Sequence, residues 1–317
     1  MMLTRKQAFS KLEEIDNILI LTHRNPDGDA VGSMFALYYV LREMGKNVRC
    51  ITDKVTGAIS FPVTNEAFSD FTPDYVITAD VADKKLLTPE TLEKYGDRVY
   101  LAIDHHASSK PFAEYTLLDS DASAACELIY YMLKDAGQEI SLDTAKALYL
   151  GIATDTGCFR YPNTTAKTLE AAAMLVAKGV DNGEINRLVF ETKTRGYVQF
   201  EALAMNSLKT YFDGKCAVLV ITQEMYRKTG TSEEDTHNIA SLPRQIEGVL
   251  AGVVIKEKAD GSYKISIRSN EPVNAAEICN VFGGGGHRLA AGCEMTGRLP
   301  EVVNNILKVI GEVLSEI

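Results

Sequence analysis

The chain holds five histidines, and four of them fall in expected loops beside strands, with aspartate or glycine close by in sequence. The first group is His23-Arg24-Asn25-Pro26-Asp27-Gly28-Asp29, directly after the apolar run 18–22. Pro26 and Gly28 argue against a regular helix there, so His23, Asp27 and Asp29 can turn toward one point. One imidazole and two carboxylates suit a divalent transition metal. The same residues also suit a polar turn in which an aspartate caps a helix over 30–44. Asp80 follows the run 75–79, and Asp104-His105-His106 follows the run 98–103. A lone aspartate after a strand is often a helix cap; an Asp-His-His triplet in that place is far less ordinary. Asp155, within Gly151-Ile152-Ala153-Thr154-Asp155-Thr156-Gly157, ends a helical stretch. A carboxylate there opposes the helix dipole unless a cation is near.

Together these are two histidines and four aspartates from four segments, too many for one octahedral ion. Two ions sharing a bridging carboxylate fit better. Such a pair clamps the attacking and leaving oxygens of an in-line displacement on phosphorus and acidifies water for the attack. Imidazole ligands favour Mn²⁺ or a similar ion over Mg²⁺.

The elements that must position these residues follow from periodicity. Helices are expected at Thr4 to Asp16, Ala30 to Met44, Ser123 to Ala136, Leu142 to Ala153 and Thr164 to Lys178. Short apolar strands are expected at Asn17 to Leu21, Asn47 to Ile51, Asp74 to Ala79 and Arg98 to Ile103. Strands alternating with helices imply a mostly parallel sheet covered on both faces, whose ligands bind at the carboxyl ends of the strands. After residue 210 the pattern changes. Lys215 to Ile221 reads as a strand, and Gly248 to Glu257 and Ser262 to Ser269 flank a hairpin signal at Asp260-Gly261. Helices over Asn274 to Val281 and Arg298 to Ile317 complete a smaller α/β region. The expected organisation is a larger α/β domain over 1–190, a helical linker over 191–210 and a smaller α/β domain over 211–317.

Composition bounds the function. At 317 residues, 46% hydrophobic and 24% charged, the chain is neither disordered nor a disulfide-stapled mini-protein, and it exceeds the size of one typical core. No apolar run approaches the ~20 residues that span a bilayer. The N-terminus lacks the apolar segment of a signal peptide, and the six scattered cysteines form no C-x-x-C, so a cytoplasmic protein with buried thiols is expected. Acidic residues outnumber basic ones, 43 to 33, and there is no basic tract. Long nucleic acid is gripped by many Lys and Arg contacts to phosphate, so a phosphate-ester partner of this chain is expected to be small. His237, the fifth histidine, has no evident partner.

His23-x-x-x-Asp27-x-Asp29, Asp80, Asp104-His105-His106 and Asp155 resemble, in order, the four motifs of the DHH phosphoesterase superfamily, and Gly283-Gly284-Gly285-Gly286-His287 resembles the glycine-rich loop of its DHHA1 domain. The domain pairing and length are most similar to the bacterial nano-RNases that are also 3′-phosphoadenosine 5′-phosphate (pAp) phosphatases. The resemblance implies that His23 and Asp27 hold one ion, that Asp29, His105 and Asp155 hold the other, and that Asp80 bridges them. His106 would face the scissile phosphate and Asp104 would orient a histidine from behind. In the second domain, backbone N–H groups of Gly284, Gly285 and Gly286 can approach an anion, and Arg268, His287 and, more weakly, Arg288 would hold the substrate's phosphate or base.

The implied reaction is hydrolysis of short RNA oligonucleotides to mononucleotides and of pAp to AMP, with two divalent ions, Mn²⁺ first among them. The implied partners are short RNA oligonucleotides and small nucleotides, neither long duplex nucleic acid nor a membrane, with a homodimer left open. The rivals are a cyclic- or linear-dinucleotide phosphodiesterase of the same superfamily and, outside catalysis, a nucleotide sensor. A sensor would lack a metal ligand, and none is missing.

Overall fold

A computed structural model of the chain describes residues 1–52, 55, 57–60, 62–63, 67 and 71–317, with the side chains of 57–58, 234–235 and 237–238 left aside. It divides into two compact units, Met1–Thr192 and Lys193–Ile317.

The first unit carries α1 (Arg5–Glu14), β1 (Ile18–Leu21), α2 (Gly28–Glu43), β2 (Val48–Ile51), β3 (Tyr75–Ala79), α3 (Pro89–Tyr95), β4 (Val99–Asp104) and β5 (Tyr115–Leu118). It continues through α4 (Ala125–Ala136), α5 (Leu142–Asp155), α6 (Ala166–Ala177) and α7 (Asn182–Asn186). The five strands form one sheet in the order β2-β1-β3-β4-β5, every pair parallel. Every residue of Ile18-Leu19-Ile20-Leu21 is buried, as a strand covered on both faces requires. The order steps to opposite sides after β1, so the carboxyl ends of β1 and β3 flank the point where connections diverge. Open α/β sheets form their ligand crevice there. His23 follows β1, Asp80 follows β3, and Asp104 closes β4.

The helix α2 differs from the sequence expectation. It begins at Gly28, not near residue 30, and Asp27 is its N-cap: Asp27 Oδ1 accepts hydrogen bonds from the N–H of Asp29 at 3.1 Å and of Ala30 at 3.0 Å. Pro26 lies outside the helix, and Gly28 is tolerated in its first turn, where few intrahelical bonds depend on it. The capping reading and the ligand reading thus coincide at one residue. Met34, Phe35, Leu37 and Leu41 on α2 are fully buried, each contributing roughly 1.5–3 kcal/mol. A helix apolar on all sides belongs in the interior.

The approach of α2 to α5 is set by glycines. A Cβ at Gly32 would come within 2.5 Å of the Ala147 carbonyl oxygen, and one at Gly151 would overlap Cys126 Sγ and Asp29 Oδ1. Bare backbones therefore bring Asp29, near the start of α2, close to Asp155, at the end of α5.

The second unit holds α8 (Arg195–Asn206), β6 (Lys209–Tyr211), β7 (Cys216–Ile221), α9 (Gln223–Thr229), β8 (Ala251–Glu257), β9 (Tyr263–Ser269), α10 (Ala275–Asn280), β10 (Gly285–His287), β11 (Ala290–Met295) and α11 (Leu299–Ser315). Its sheet runs β10-β11-β9-β8-β7-β6, with β7 and β8 parallel and the other pairs antiparallel. The expected hairpin is β8–β9, turning through Asp260-Gly261. Val302, Ile306 and Ile310 of α11 pack with Val253, Ile265 and Ile267. Phe200 and Ala204 of α8 pack with Leu219, Ile221 and Val254. The segment 191–210, expected as a linker, thus gives its helix to the core of the second unit. The four glycines, expected as a turn, run into the edge strand β10, which pairs with β11 through Gly285↔Gly292 and His287↔Ala290. Short three-residue strands such as β6 and β10 carry too little apolar alternation to be legible in sequence.

Replacing Gly32 by alanine tests the helix contact. The added methyl meets backbone, an overpacking cost of ~1–3 kcal/mol, against a helix-propensity gain of at most ~1 kcal/mol. Urea denaturation of Gly32→Ala should show a lower midpoint. An unchanged or higher midpoint would mean that α2 and α5 separate without cost.

Candidate metal centre

The loops after β1, β3 and β4 and the end of α5 converge. Three trios of ligand atoms each lie within 4.8 Å of one another: His23, Asp27 and Asp80; Asp29, His105 and Asp155; and Asp80, His105 and His106. All six residues read from the sequence as metal ligands fall in these trios, and Asp80 belongs to two of them.

Each side chain is aimed by its surroundings. Asp80 has φ 59°, in the left-handed region that aspartate tolerates better than most residues, and its N–H donates to the Ile103 carbonyl at 2.9 Å. This turns its carboxylate across the ends of β1 and β4. Asp80 Oδ2 lies 3.6 Å from His23 Nε2, and Oδ1 lies 3.6 Å from His105 Nε2 and 3.4 Å from His106 Nδ1. Among the described residues Oδ1 is buried with no hydrogen-bond partner, an expensive state for a carboxylate oxygen that a cation would relieve.

Both ligand-type imidazoles keep Nε2 free for the centre. His23 Nδ1 lies 2.9 Å from the Arg24 carbonyl and His105 Nδ1 lies 3.2 Å from the Ala122 carbonyl. A carbonyl can only accept, so Nδ1 carries a proton, and it is Nε2 of the neutral ring that would offer its lone pair, the tautomer a metal requires. His105 Nε2 reaches Asp155 at 3.2 Å and Asp29 at 3.8 Å. Asp29 is fully buried, and its two oxygens accept from the N–H groups of Ala125 at 2.6 Å and Cys126 at 3.0 Å, at the start of α4. A helix N-terminus is a favourable seat for a carboxylate.

The charge balance of the site is strained. Burial, then repulsion from Asp80, pushes the Asp29 carboxyl up. Burial, then repulsion from Asp29, Asp27 and Asp80, pushes the Asp155 carboxyl up. Burial of His23 opposes its protonation, but the facing Asp80, the Arg24 carbonyl and Asp27 outweigh it, and its pKa is pushed up to about 9. His106 Nδ1 donates to Asp104 Oδ1 at 2.8 Å, and this bond, set against partial burial, pushes the imidazole up to about 9. Burial alone would raise the Asp104 carboxyl, but His106 and Ser109 hold it below the ordinary value. Asp104 therefore orients His106, the imidazole that is 43% exposed at the rim.

In the second unit, Arg268 lies on β9 and His287 on β10, both level with Ala290 of β11 between them. His287 is exposed, and Gly286, at φ 146°, leaves no room for a Cβ against Ala290 and Ala291. Arg288 is engaged with Glu271 through two hydrogen bonds, of 3.0 and 2.8 Å. The side chain of His237 lies outside the described residues. All six cysteines are free thiols, five of them buried. Among the described residues no helix is long and apolar enough to cross a membrane.

What the sequence did not reveal is the support behind the ligands: the Ala122 carbonyl, the Ala125 and Cys126 amides, and Gly32 and Gly151. Backbone groups carry no side-chain signature. Asn163 also went unnoticed, although it stands in a polar run eight residues after Asp155.

The sequence profile of the DHH family N-terminal domain matches residues 17–152, and that of the DHHA1 domain matches residues 213–316. A Thermus thermophilus protein described as bifunctional oligoribonuclease and PAP phosphatase NrnA is 30% identical over 305 residues, covering 94% of this chain and 90% of that protein. The chain belongs to the DHH family. As a DHH phosphoesterase it is a hydrolase of phosphoric ester bonds. The Bacillus subtilis protein of the same description is 28% identical over 286 residues, 88% of this chain and 90% of that one. The Geobacillus thermodenitrificans cyclic-di-AMP phosphodiesterase GdpP is 26% identical over 314 residues, 90% of this chain but 45% of that longer protein. A crystal structure of an exopolyphosphatase-related protein from Bacteroides fragilis shares the fold, with a TM-score of 0.87 at 24% identity, covering 97% of this chain and 96% of that one.

The charge balance of this DHH site sets a pH dependence. Groups whose folded pKa is raised bind more protons folded than unfolded, so stability falls as pH rises through the shifted range. For His23 and His106 that range runs from 6.5 to about 9. The melting temperature of metal-free protein should fall between these pH values. The gain on adding Mn²⁺ should grow over the same range, because the cation competes with protons at its ligands. A melting temperature that rises with pH in metal-free protein, or a Mn²⁺ gain that shrinks, would contradict this charge assignment.

Proposed function

We propose that this phosphoesterase uses two divalent cations, Mn²⁺ foremost, to hydrolyse short RNA oligonucleotides to mononucleotides and pAp to AMP. The observation that carries the reading is Asp80: a buried carboxylate shared by two ligand trios, with one oxygen that no group among the described residues satisfies. The donor set fits such ions, since imidazole and carboxylate together suit Mn²⁺. His23 and Asp27 would hold one ion, Asp29, His105 and Asp155 the other, and Asp80 both. When bound, the ions supply positive charge against the phosphoryl oxygens and acidify water for attack at phosphorus.

The protein's own groups do the rest. Water adds to phosphorus, the P–O ester bond breaks, and the leaving oxygen takes a proton to become the ribose hydroxyl. His106, its Nδ1–H tied to Asp104, directs Nε2 outward and can donate to a phosphoryl or leaving oxygen. Arg268, His287 and the amides of Gly284, Gly285 and Gly286 would bind the part of the nucleotide away from the reacting phosphorus. Arg288, occupied by Glu271, would act mainly by fixing the chain beside His287. The oligoribonuclease and PAP phosphatase relatives, similar over nearly the whole chain, support these substrates. The likeness to the cyclic-di-AMP phosphodiesterase favours cyclic dinucleotides as the second reading.

Purified protein with Mn²⁺ should hydrolyse pApA and pAp faster than cyclic di-AMP or pyrophosphate, and chelation should stop turnover. Asp80→Ala should lose several orders of magnitude in kcat with folding retained. Preference for the cyclic substrate would establish the second reading, and full turnover by verified metal-free protein would end both.

The second unit can be tested separately. Loss of a hydrogen bond to a charged group costs ~1.5–3 kcal/mol, which at ~1.4 kcal/mol per tenfold is roughly ten- to a hundredfold in KM. His287→Ala should show this on pApA and leave hydrolysis of bis-p-nitrophenyl phosphate, which has no nucleotide to grip, nearly unchanged. Equal losses on both substrates would place His287 at the chemistry.

A further inference from the structure

The two ligand sets are supported in different ways. His23 is oriented by the carbonyl of its neighbour Arg24, and Asp27 by the amides of Asp29 and Ala30 at the start of α2. Among the described residues, no hydrogen bond joins either of them to the segment 122–126.

Asp29, His105 and Asp155 all depend on that segment. The Ala122 carbonyl accepts from His105, and the Ala125 and Cys126 amides donate to Asp29. Asp155 is linked to it through Asn163, whose Nδ2 donates to the Ser123 carbonyl at 3.1 Å and to the Asp155 carbonyl at 3.2 Å. Both acceptors are carbonyl oxygens, so only the NH₂ end of the amide can face them, and its two hydrogens suffice for both. The segment is anchored from behind by Glu127, which is 2% exposed. Glu127 Oε2 accepts from Ser123 N–H at 3.2 Å, Ser123 Oγ at 2.6 Å and Thr168 Oγ1 at 2.7 Å. A buried carboxylate with three donors is a rigid point.

We propose that Asn163 is a positioning residue for one of two unequal cation sites: by tying the Asp155 backbone to the Glu127-anchored segment 122–126, it holds Asp29, His105 and Asp155 in register and leaves the His23–Asp27 set alone. This rests on the cation use proposed above. Asn163 touches no reacting atom; it acts through the ligands. Groups behind metal ligands set affinity because they fix ligand geometry before binding, and their loss typically costs ~10–100-fold in metal affinity.

The test is calorimetric titration of the full chain, freed of metal, with MnCl₂, together with electron paramagnetic resonance of the bound manganese. Wild type should bind two Mn²⁺ per chain and show the signal of a spin-coupled pair when loaded. Asn163→Ala should keep one site at its wild-type affinity and weaken the other by ~10–100-fold, so that at moderate Mn²⁺ an isolated-ion signal replaces the coupled one. Asn163→Leu, which keeps the bulk and loses the donor, should behave as Asn163→Ala does. In His23→Ala the surviving tight site should be the one that Asn163→Ala weakens, and the double variant should hold no tight ion. Two unchanged sites in Asn163→Ala, equal weakening of both, or wild-type behaviour of Asn163→Leu would each overturn the assignment. A wild type that binds no Mn²⁺ would instead remove the cation reading on which it rests.

Discussion

A carboxylate removed from water must be compensated, and this structure buries several of them side by side. Asp29 and Asp104 are fully buried and Asp80 is nearly so. Helix-terminal amides serve Asp29 and an imidazole serves one oxygen of Asp104, but Asp80 Oδ1 and Asp104 Oδ2 have no hydrogen-bond partner among the described residues. A fold that retains such a group without a compensating cation gives up stability, since an unsatisfied buried polar atom costs ~1–3 kcal/mol, and more when it is charged. The rest of the first unit can be read as the scaffold that keeps this charge in place.

That scaffold works through backbone more than through side chains. Three parallel strands end at one level, so the residues after β1, β3 and β4 leave the sheet together at its switch point. The glycines of α2 and α5 let the two helices approach until Asp29 and Asp155 face the same imidazole, 3.8 and 3.2 Å from His105 Nε2. Carbonyls of Arg24 and Ala122 select the imidazole tautomers. None of these groups performs chemistry, yet each limits where a ligand atom can be.

The second unit follows a different logic. Its glycines do not make a free loop. Gly284 and Gly286 sit so close to β11 that no side chain would fit, and the strand they form at the sheet edge leaves His287 exposed beside the row that carries Arg268. An edge strand has unpaired backbone donors on its outer side. Exposed backbone donors near an imidazole are groups an anion could use, and the nucleotide role proposed for them needs no basic tract in the sequence.

Much of this was legible from sequence because it depends on short-range order. Apolar runs of four to six residues place strands, and a polar residue just after a strand must lie at the sheet's edge, so His23, Asp80, Asp104, His105 and His106 could be placed at strand ends from periodicity and spacing alone. Their order along the chain carried the family resemblance. Three-dimensional structure decided the rest. That Asp80 turns its left-handed backbone against the Ile103 carbonyl and that α8 joins the second core depend on contacts between segments distant in the chain. So do the supports behind the ligands. Asn163 and Glu127 look like ordinary surface and helix residues in sequence, and Ala122 contributes only a carbonyl. Periodicity reports which face of an element is buried; it contains no information about which backbone group will meet which side chain once the elements pack.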